Sequence, residues 1–446
     1  MQYCSQCVYP IVSAVPLDFD EQAICSGCRV HTQKAHVNWS QRQEWLVELV
    51  AEYRQPHGEN YDCIIPVSGG KDSWFQTYYI KEVLGLNPLL VTYNGNNYLD
   101  VGLRNLKRMR EVFGVDHLFY SPSPTLLKKL NRLCFKKMGD MNWHAHAGIF
   151  TYPVQVAVQF NIPLIVWGEH GFMDLGGMFS MQDLIEMTAK FRLEHAQRGY
   201  DWFDMLDEAN PGMAEGITAK DMLWCRYPSD EQLERVGVRG IYLGNFVDWD
   251  AHQQTELMKK FGFEEAPFAF ERTYRRMSNL DDMHENGVHD YLKFIKFGYG
   301  RCSDHVCKDI RAGRMTRAEG IELVRQYDHV KSSDLLRWLK YVEMTETQFD
   351  TIADSFRDTR VWRKNGQSLW EKDNLWGETS AYPVPRLTSE ETPSLQLLLQ
   401  GVPQAMKGVY QGGVHTLGFQ ESLGLQEGSN LPQASQQTSS KDGQSC

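Results

Sequence analysis

Six consecutive residues, Ser68-Gly69-Gly70-Lys71-Asp72-Ser73, have the composition of a phosphate-binding turn. They follow the apolar run 63–67, which is typical of a buried strand. The glycines let the backbone approach an anion closely, and serine hydroxyls and main-chain N–H groups donate to phosphate oxygens. An ordinary glycine turn would explain a bare SGG. The full hexapeptide behind an apolar strand instead predicts a site for a nucleotide triphosphate.

This turn differs from the common ATPase and GTPase loop. That loop requires a glycine where this chain has Ile65, and a serine or threonine where it has Asp72. The SGGxDS pattern resembles the PP-loop ATP pyrophosphatase superfamily. The resemblance implies cleavage of ATP between its α and β phosphates and transfer of AMP to a substrate oxygen. Lys71 and the loop amides would hold the leaving pyrophosphate, and Asp72 would hold Mg²⁺, which prefers oxygen ligands.

Two C-x2-C pairs lie near the N-terminus, Cys4 with Cys7 and Cys25 with Cys28, and seventeen residues separate the pairs. This spacing is typical of a zinc ribbon. Four thiolates would fill a tetrahedral site and leave no position for water, which favours structural Zn²⁺ over catalytic Zn²⁺. Disulfides are the weaker alternative, because the opening residues lack the pattern of a secretory signal.

Composition bounds the class of protein. A chain of 446 residues with 42% hydrophobic residues can bury a sizeable core and form two or three units. The net charge of −11 argues against a protein whose main task is binding nucleic acid. No apolar run is long enough to span a bilayer, so a cytoplasmic protein without a membrane partner is predicted.

Strand and helix patterns alternate through the first half of the chain. Strands are predicted at 63–67, 88–93, 117–120, 163–167 and 240–243, and helices at 40–55, 74–83, 101–113, 125–137 and 152–159. This succession predicts an α/β fold, a parallel sheet with helices on both faces, joined to a zinc ribbon and a mostly helical C-terminal region. The predicted units are 1–35, 36–240, 241–364 and a largely disordered tail at 365–446.

Ligands of such sheets bind beyond the carboxyl ends of the strands. Thr92, Tyr93 and Asn94 end the second strand and are candidates for the adenine and ribose, although each alone could be a plain loop residue. Glu169 is a candidate catalytic residue and second Mg²⁺ ligand beside Lys71 and Asp72, or else a solvated strand end. The predicted ATP contacts are Pro66, Val67, Ser68, Gly69, Gly70, Asp72, Ser73, Thr92, Tyr93, Asn94 and Gly168.

The C-terminal half offers candidates for binding an anionic substrate. Lys293, Lys296, Tyr299 and Arg301 lie around a glycine-containing turn, where they suit a diphosphate or a carboxylate. An amphipathic helix with extended lysines explains them equally well. The segment 284–289 could supply acid–base or solvated groups. His144 and His146 are interpreted as hydrogen-bonding loop residues or ligand donors rather than as a second metal site.

With the cysteine pairs, SGGKDS, residues 167–170 and the stretch 298–307 considered together, the chain resembles the N-acetyl sugar amidotransferase family (WbpG-like) of bacterial surface-glycan biosynthesis, including lipopolysaccharide O-antigen. The resemblance covers residues 1 to about 340. It implies conversion of an acetamido group on a nucleotide-linked sugar into an acetamidino group, with ATP as activator and ammonia as nucleophile.

The source of ammonia is expected to be a separate protein. Gln2 excludes an N-terminal cysteine nucleophile, and no cysteine has the flanking glycines of a nucleophile elbow. The resemblance implies a glutaminase subunit and an ammonia-conducting cyclase-like subunit, similar to the pair that serves histidine biosynthesis.

Two other functions remain open. Some tRNA thiolation enzymes join a zinc ribbon to the same loop, and Cys134 or Cys225 could act there, but Cys134 has no C-x2-C partner and the charge is acidic. A non-catalytic adaptor with a decayed loop is disfavoured because Lys71 and Asp72 are intact. Residues 420–446, rich in Gln, Ser and Gly, are predicted to be disordered.

Overall fold

Five parallel strands form the central sheet. The structure is a computed structural model that describes residues 1–387 except residue 56, residues 96–97, residue 279 and residues 281–284. The strand order is β3-β2-β1-β4-β5. The strands are β1 (Cys63–Pro66), β2 (Pro88–Tyr93), β3 (Asp116–Tyr120), β4 (Leu164–Trp167) and β5 (Arg239–Tyr242). The chain adds strands to one side of β1 and then crosses to the other, so the topology switches between β1 and β4. This confirms the predicted parallel α/β sheet.

Helices cover both faces of the sheet, and this burial explains why the central strands β1, β2 and β4 are nearly continuous apolar runs, whereas the edge strand β3 is partly exposed. Successive side chains of β1 point to opposite faces. Ile64 packs into a cluster with Val154 and Ala157 of helix α6 (Trp143–Phe160). Ile65 packs into a second cluster with Trp74 of helix α3 (Lys71–Tyr78).

The other elements of the first half are short helices. They are α1 (Ser26–Gln33), α2 (Trp39–Ala51), α4 (Asp100–Phe113), α5 (Pro124–Met138), α7 (Gly171–Gly176), α8 (Ala189–Phe191), α9 (Asp230–Val236) and α10 (Ala251–Lys259). Single turns of 3-10 helix lie at Lys34–His36, Trp202–Met205, Asp207–Ala209, Leu223–Cys225 and Leu243–Asn245, and π turns lie at Tyr79–Val83 and Arg192–Ala196. Helix α6 begins nine residues before the predicted start at 152, which places His144 and His146 in a helix rather than a loop.

The C-terminal region is mostly helical, as predicted. It contains α11 (Glu285–Phe297), α12 (Arg301–Arg311), α13 (Arg317–Tyr327), α14 (Asp334–Val342) and α15 (Glu346–Asp354). Phe135 of α5 packs between Trp338 of α14 and Phe349 of α15. This shared core fixes α11 to α15 beside the sheet domain.

A small antiparallel sheet follows α15, so the predicted start of the disordered tail at residue 365 is wrong. Its strands are β6 (Arg363–Lys364), β7 (Trp370–Asp373) and β8 (Thr379–Ala381), and β7 pairs with both of the others. Residues 365–387 are therefore structured rather than part of a disordered tail. The tail prediction for residues 388–446 lies outside the described residues.

Long-range contacts hold this sheet to the rest of the molecule. Trp370 Nε1 donates to Asp354 Oδ2 (3.0 Å), and the amino group of Met1 pairs with Asp373 (3.2 Å). Lys331, fully buried, donates to the carbonyl oxygen of Pro385 (3.0 Å). None of the helices in the described part of the chain is sufficiently long and apolar to span a bilayer.

We expect truncation after Lys364 to destabilise the protein, whereas truncation after Leu387 retains every contact described here. The first truncation removes β7 and β8, and with them the hydrogen bond from Trp370 to Asp354, the ion pair of Met1 with Asp373 and one of the acceptors of Lys331 Nζ. Its thermal unfolding midpoint should be lower by about 5 °C or more than that of the second. Equal midpoints by differential scanning fluorimetry would contradict a structural role for this sheet.

Candidate functional site

The turn after β1 is shaped by a glycine that has no room for a side chain. Gly69 has a φ of +76°, and a Cβ atom there would lie 2.7 Å from the carbonyl oxygen of Gly102 and 2.8 Å from Leu106 Cγ, both in α4. Gly70 then caps α3 with extended backbone, and no side chain caps the helix. The first N–H groups of α3 thus remain available to an anion, where the helix dipole also favours negative charge.

A cavity of about 350 Å³ lies beyond the carboxyl ends of β1, β2, β4 and β5. This is the switch point of the strand order, where open α/β sheets bind ligands. Of the residues predicted to bind ATP or act in catalysis, those that line the cavity are Pro66, Val67, Ser68, Asp72, Ser73, Tyr93, Gly168 and Glu169. The structure thus brings three of the predicted strand ends to one cavity.

Other predicted residues act around the cavity rather than in its wall. Gly69 and Gly70 shape the turn, and Lys71 Nζ pairs with Asp72 Oδ2 (2.6 Å). Thr92 is buried and donates to the carbonyl oxygen of Val67 (2.6 Å). Asn94 donates from Nδ2 to Ser121 Oγ (2.8 Å), on the side of β3. Thr92 and Asn94 therefore stabilise the strand ends, and the prediction that they contact the nucleotide directly is not supported by their positions.

Asp72 fits a divalent cation. Its Oδ1 atom is buried and has no hydrogen-bond partner among the described residues. An unpaired buried carboxylate oxygen is costly, and a hard cation would satisfy it. Since Asp72 belongs to the wall that also contains Ser68 and Ser73, such a cation would lie beside an anion bound at the turn.

Glu169, the second predicted Mg²⁺ ligand, is already paired. Lys308 Nζ lies 2.9 Å from Glu169 Oε1 and 2.5 Å from Asp174 Oδ2. Burial raises the pKa of Glu169 to about 8, and the Asp174 carboxylate adds to the rise. Glu169 could hold a cation only if Lys308 gave up this ion pair, so Asp72 is the better candidate. The sequence analysis missed Lys308, because it lies 139 residues from Glu169 and no spacing pattern connects the two.

Gln76 connects the two turns that flank the switch point. With its amide oxygen turned toward Gly168, the side chain accepts from Gly168 N (2.8 Å) and donates to the carbonyl oxygen of Asp72 (3.2 Å). It is another residue that the sequence analysis missed, because a glutamine inside a helix has no distinctive pattern.

Residues from three helices form another part of the cavity wall. Asn142 and His146 come from the start of α6, His289 from α11 and Arg301 from α12. The rings of His146 and His289 have centroids 6.3 Å apart. Burial lowers the pKa of His146 to about 4, and Arg198 and His289 act in the same direction. This part of the wall thus presents the neutral imidazole of His146, the imidazole of His289 and the guanidinium of Arg301.

Three of the four predicted substrate contacts lie elsewhere. Lys293 pairs with buried Asp304 (2.5 Å) and stacks over Tyr299, which packs against the cysteine-rich N-terminus. Lys296 lies 3.8 Å from buried Asp140. Carboxylates of the protein neutralise the charges of Lys293 and Lys296. Of the four residues, only Arg301 lines the cavity. This corrects the prediction for Lys293, Lys296 and Tyr299.

The four N-terminal cysteines fit a tetrahedral zinc ion. All four are buried, and their sulfur atoms lie within 4.8 Å of one another. The separations are 4.0 Å for Cys4 and Cys28 and 3.7 Å for Cys7 and Cys25. A tetrahedral site with Zn–S bonds of about 2.3 Å requires S–S distances of about 3.8 Å, whereas a disulfide requires about 2.0 Å. These distances match the zinc alternative.

The cysteine cluster is packed on α12, the helix that contains Arg301 and Lys308. Tyr9 donates its hydroxyl to Asp304, and Arg317 Nε donates to the carbonyl oxygen of Cys7 (2.9 Å). Arg311 reaches Cys25 Sγ (3.5 Å) and the carbonyl oxygen of Leu175 in α7 (3.0 Å). Arg311 thereby connects the cysteine cluster and α12 to α7, the helix that begins two residues after Glu169.

Comparison with known proteins supports the resemblance drawn from the sequence. Residues 244–375 match the family described as LPS biosynthesis protein WbpG-like, C-terminal domain. The matched segment runs from the end of β5 to the end of β7 and contains His289, Arg301 and Lys308. The turn after β1 and the cysteine cluster lie outside the matched segment.

Two further similarities cover parts of the chain. An uncharacterized protein of Methanocaldococcus jannaschii, MJ1599, is 26% identical over 113 residues, which are 25% of this chain and 40% of that protein. The chain therefore matches less than half the length of this relative. The structure of NMN synthetase from Francisella tularensis aligns with 50% of this chain and 87% of its own, at 12% identity and a TM-score of 0.25. The fold assignment rests on the strand order and not on this alignment.

We expect Cys28→Ser to lose the bound zinc and to unfold at a temperature lower by about 10 °C or more, because metal binding to such clusters supplies folding free energy. Zinc content by mass spectrometry and the unfolding midpoint measure this. Cys302→Ser is the matched control, since Cys302 is buried in the same core but is not one of the four clustered sulfurs. Retention of one zinc per chain in Cys28→Ser would refute the site.

Proposed function

We propose that this chain is an ATP-dependent amidotransferase that converts the acetamido group of a nucleotide-linked sugar into an acetamidino group in bacterial surface-glycan biosynthesis. The observation that carries the proposal is the uncapped start of α3 beside Ser68 and Asp72 at one end of the cavity. The match to a family of LPS biosynthesis proteins supports the pathway assignment.

The chemistry follows from the poor reactivity of an amide. Oxygen is a poor leaving group, so the amide oxygen first attacks the α phosphorus of ATP and pyrophosphate departs. Ammonia then adds to the carbon of the adenylated imidate, the C–O bond breaks, and AMP leaves with the bonding electrons. The oxygen of the amide ends in AMP, and nitrogen takes its place.

The residues of the turn after β1 would orient ATP and bind the leaving pyrophosphate. The N–H groups of α3 and the hydroxyls of Ser68 and Ser73 donate to phosphate oxygens, and Lys71 offers a positive charge once it turns from Asp72. Asp72 would hold Mg²⁺, which neutralises charge on the phosphates when bound. Positioning and charge neutralisation suffice for phosphoryl-group chemistry of this kind, so no covalent nucleophile is needed.

Ammonia would come from a partner, which we propose to be a glutaminase acting with an ammonia-conducting cyclase-like subunit. A glutaminase cysteine must form a thiolate in an accessible site. The cysteines in the described part of the chain are buried, and burial raises the pKa of the Cys63 and Cys225 thiols. Their environment disfavours hydrolysis of glutamine by this chain itself.

The same observations weigh against tRNA thiolation as an alternative. Cys134 Sγ faces Met205 Sδ (3.8 Å) in an apolar cluster that also contains Cys225. Neither cysteine is among the described residues that line the cavity. In tRNA thiolation, a cysteine that carries a persulfide must reach the adenylated base, and the buried positions of Cys134 and Cys225 disfavour this.

The proposal is tested by incubating the protein with ATP, Mg²⁺, ammonium and a panel of nucleotide-linked acetamido sugars. We expect a sugar product about one mass unit lighter, because oxygen is replaced by NH, together with AMP and pyrophosphate. Asp72→Asn should lower the rate by about 100-fold or more. Asp230→Asn, at the exposed start of α9, is the control. ADP with orthophosphate, or sulfur incorporation into tRNA, would contradict the proposal.

The wall formed by Tyr93 gives a second prediction. A Cβ atom at Gly148 of α6 would lie 2.3 Å from the ring of Tyr93. Gly148→Ala should therefore push this ring into the cavity and weaken ATP binding by about tenfold, as measured by calorimetry. Gly171→Ala is the control, because a Cβ there meets no atom within 4 Å. Unchanged affinity in Gly148→Ala would place the nucleotide away from Tyr93.

A further inference from the structure

His289 lines the cavity, and a buried carboxylate holds its ring. His289 Nδ1 lies 2.9 Å from Asp140 Oδ1. Asp140 follows α5, where its Oδ1 also accepts from the backbone N–H of Asn142 (3.0 Å). The pair joins α11 to the segment before α6, two elements that are distant in sequence and meet at the cavity.

Asp140 remains ionised in this position. Only 1% of the residue is exposed, and it faces Arg198, Lys296 and His289. Burial alone would raise the pKa of Asp140, but the charges of Arg198 and Lys296, together with the hydrogen bond from His289, hold this pKa well below its usual range. A permanent carboxylate therefore accepts the hydrogen bond from His289.

This hydrogen bond determines the tautomer of the imidazole. A neutral ring has one N–H, and the bond to Asp140 places it on Nδ1. Nε2 is then the basic nitrogen, on a side chain that lines the cavity. A carboxylate that orients a histidine and stabilises its protonated form is the arrangement of a general base.

The other basic groups nearby are less suited to this role. His146 Nδ1 lies 3.1 Å from the carbonyl oxygen of Ala196, and burial lowers the pKa of His146 to about 4 although the Asp140 carboxylate acts in the opposite direction. Lys296 is behind Asp140 and is not among the described residues that line the cavity. Arg301 is cationic and is paired with Asp290 (3.0 Å). It can attract an anionic part of the substrate but cannot accept a proton.

We propose that His289 is the general base of the amination step, with Asp140 as its positioning residue. This inference rests on the proposed function. As ammonia adds to the imidate carbon, the new C–N bond leaves a positive charge on nitrogen, and His289 Nε2 accepts one proton from it. The C–O bond then breaks, AMP leaves with the electron pair, and the proton passes from His289 to the amidine nitrogen, which restores the neutral imidazole.

The two halves of the reaction depend differently on His289. Adenylation needs no base at His289, whereas amination does. We therefore expect His289→Asn, whose shorter amide can still donate to Asp140, to form amidine about 100-fold more slowly than the wild type. Release of pyrophosphate should fall much less, because the imidate that is not aminated is lost to water. The ratio of amidine to pyrophosphate should drop by about tenfold or more.

The experiment measures amidine by mass spectrometry and pyrophosphate by a coupled assay, with ATP, Mg²⁺, ammonium and the accepted sugar. His289→Ala is the second variant, and added imidazole should restore part of its amidine formation. His252→Gln is the matched control, since His252 also pairs with a buried carboxylate, Asp309 (3.1 Å), but does not line the cavity. Its product ratio should equal that of the wild type.

The possible failures are distinguishable. If the wild-type protein forms neither amidine nor pyrophosphate with any sugar of the panel, the proposed function is wrong and this inference falls with it. If the wild type is active and both His289 variants keep its product ratio, the inference alone is overturned. An equal loss of amidine and pyrophosphate in both variants, without rescue by imidazole, would also overturn it in favour of a purely structural role.

Discussion

The close packing of the turn after β1 against α4 is the constraint on which the site depends. Gly69 adopts a left-handed backbone conformation in a space that would not accept a Cβ atom, and this fixes the path of the chain into α3. The start of that helix is thereby aimed at the cavity at the switch point of the sheet. Any larger residue at position 69 would have to displace the backbone of α4 or the turn itself. The anion site is therefore a property of backbone geometry, and the side chains of Ser68 and Asp72 add to it.

The second half of the site depends on a different part of the molecule. Arg301 and Lys308 project from α12, which also contacts the cysteine-rich N-terminal segment, through Asp304 to Tyr9 and through Arg311 to Cys25. A metal ion in this cluster would stabilise α12, which contributes Arg301 to the cavity wall. A structural zinc ion would therefore affect a site that it does not contact. In the proposed mechanism, the turn after β1 would hold the phosphates, and α11 and α12 would contact the acceptor group.

Local patterns predicted most of the fold, because the central strands β1, β2 and β4 are short apolar runs and the glycine turn directly follows β1. The part of the cavity wall that follows the strands, at Ser68–Ser73, Tyr93 and Glu169, was predicted as well, because ligands of parallel sheets bind beyond the carboxyl ends of the strands. The partnership of His289 with Asp140 joins residues 149 positions apart, which no spacing rule detects. Lys293 and Lys296 were misassigned for a related reason: a sequence shows a lysine but not the buried carboxylate that neutralises it. The strands β7 and β8 were missed because their stabilising contacts are with α15 and the N-terminus.

The central claim is that the acceptor oxygen attacks the α phosphorus of ATP held at the turn after β1. Its most direct test is to label the acetamido oxygen of the sugar with ¹⁸O and to locate the label after turnover by mass spectrometry. The account predicts one ¹⁸O atom in the phosphate of AMP and none in pyrophosphate. Label in orthophosphate, or label retained in the sugar product, would contradict it.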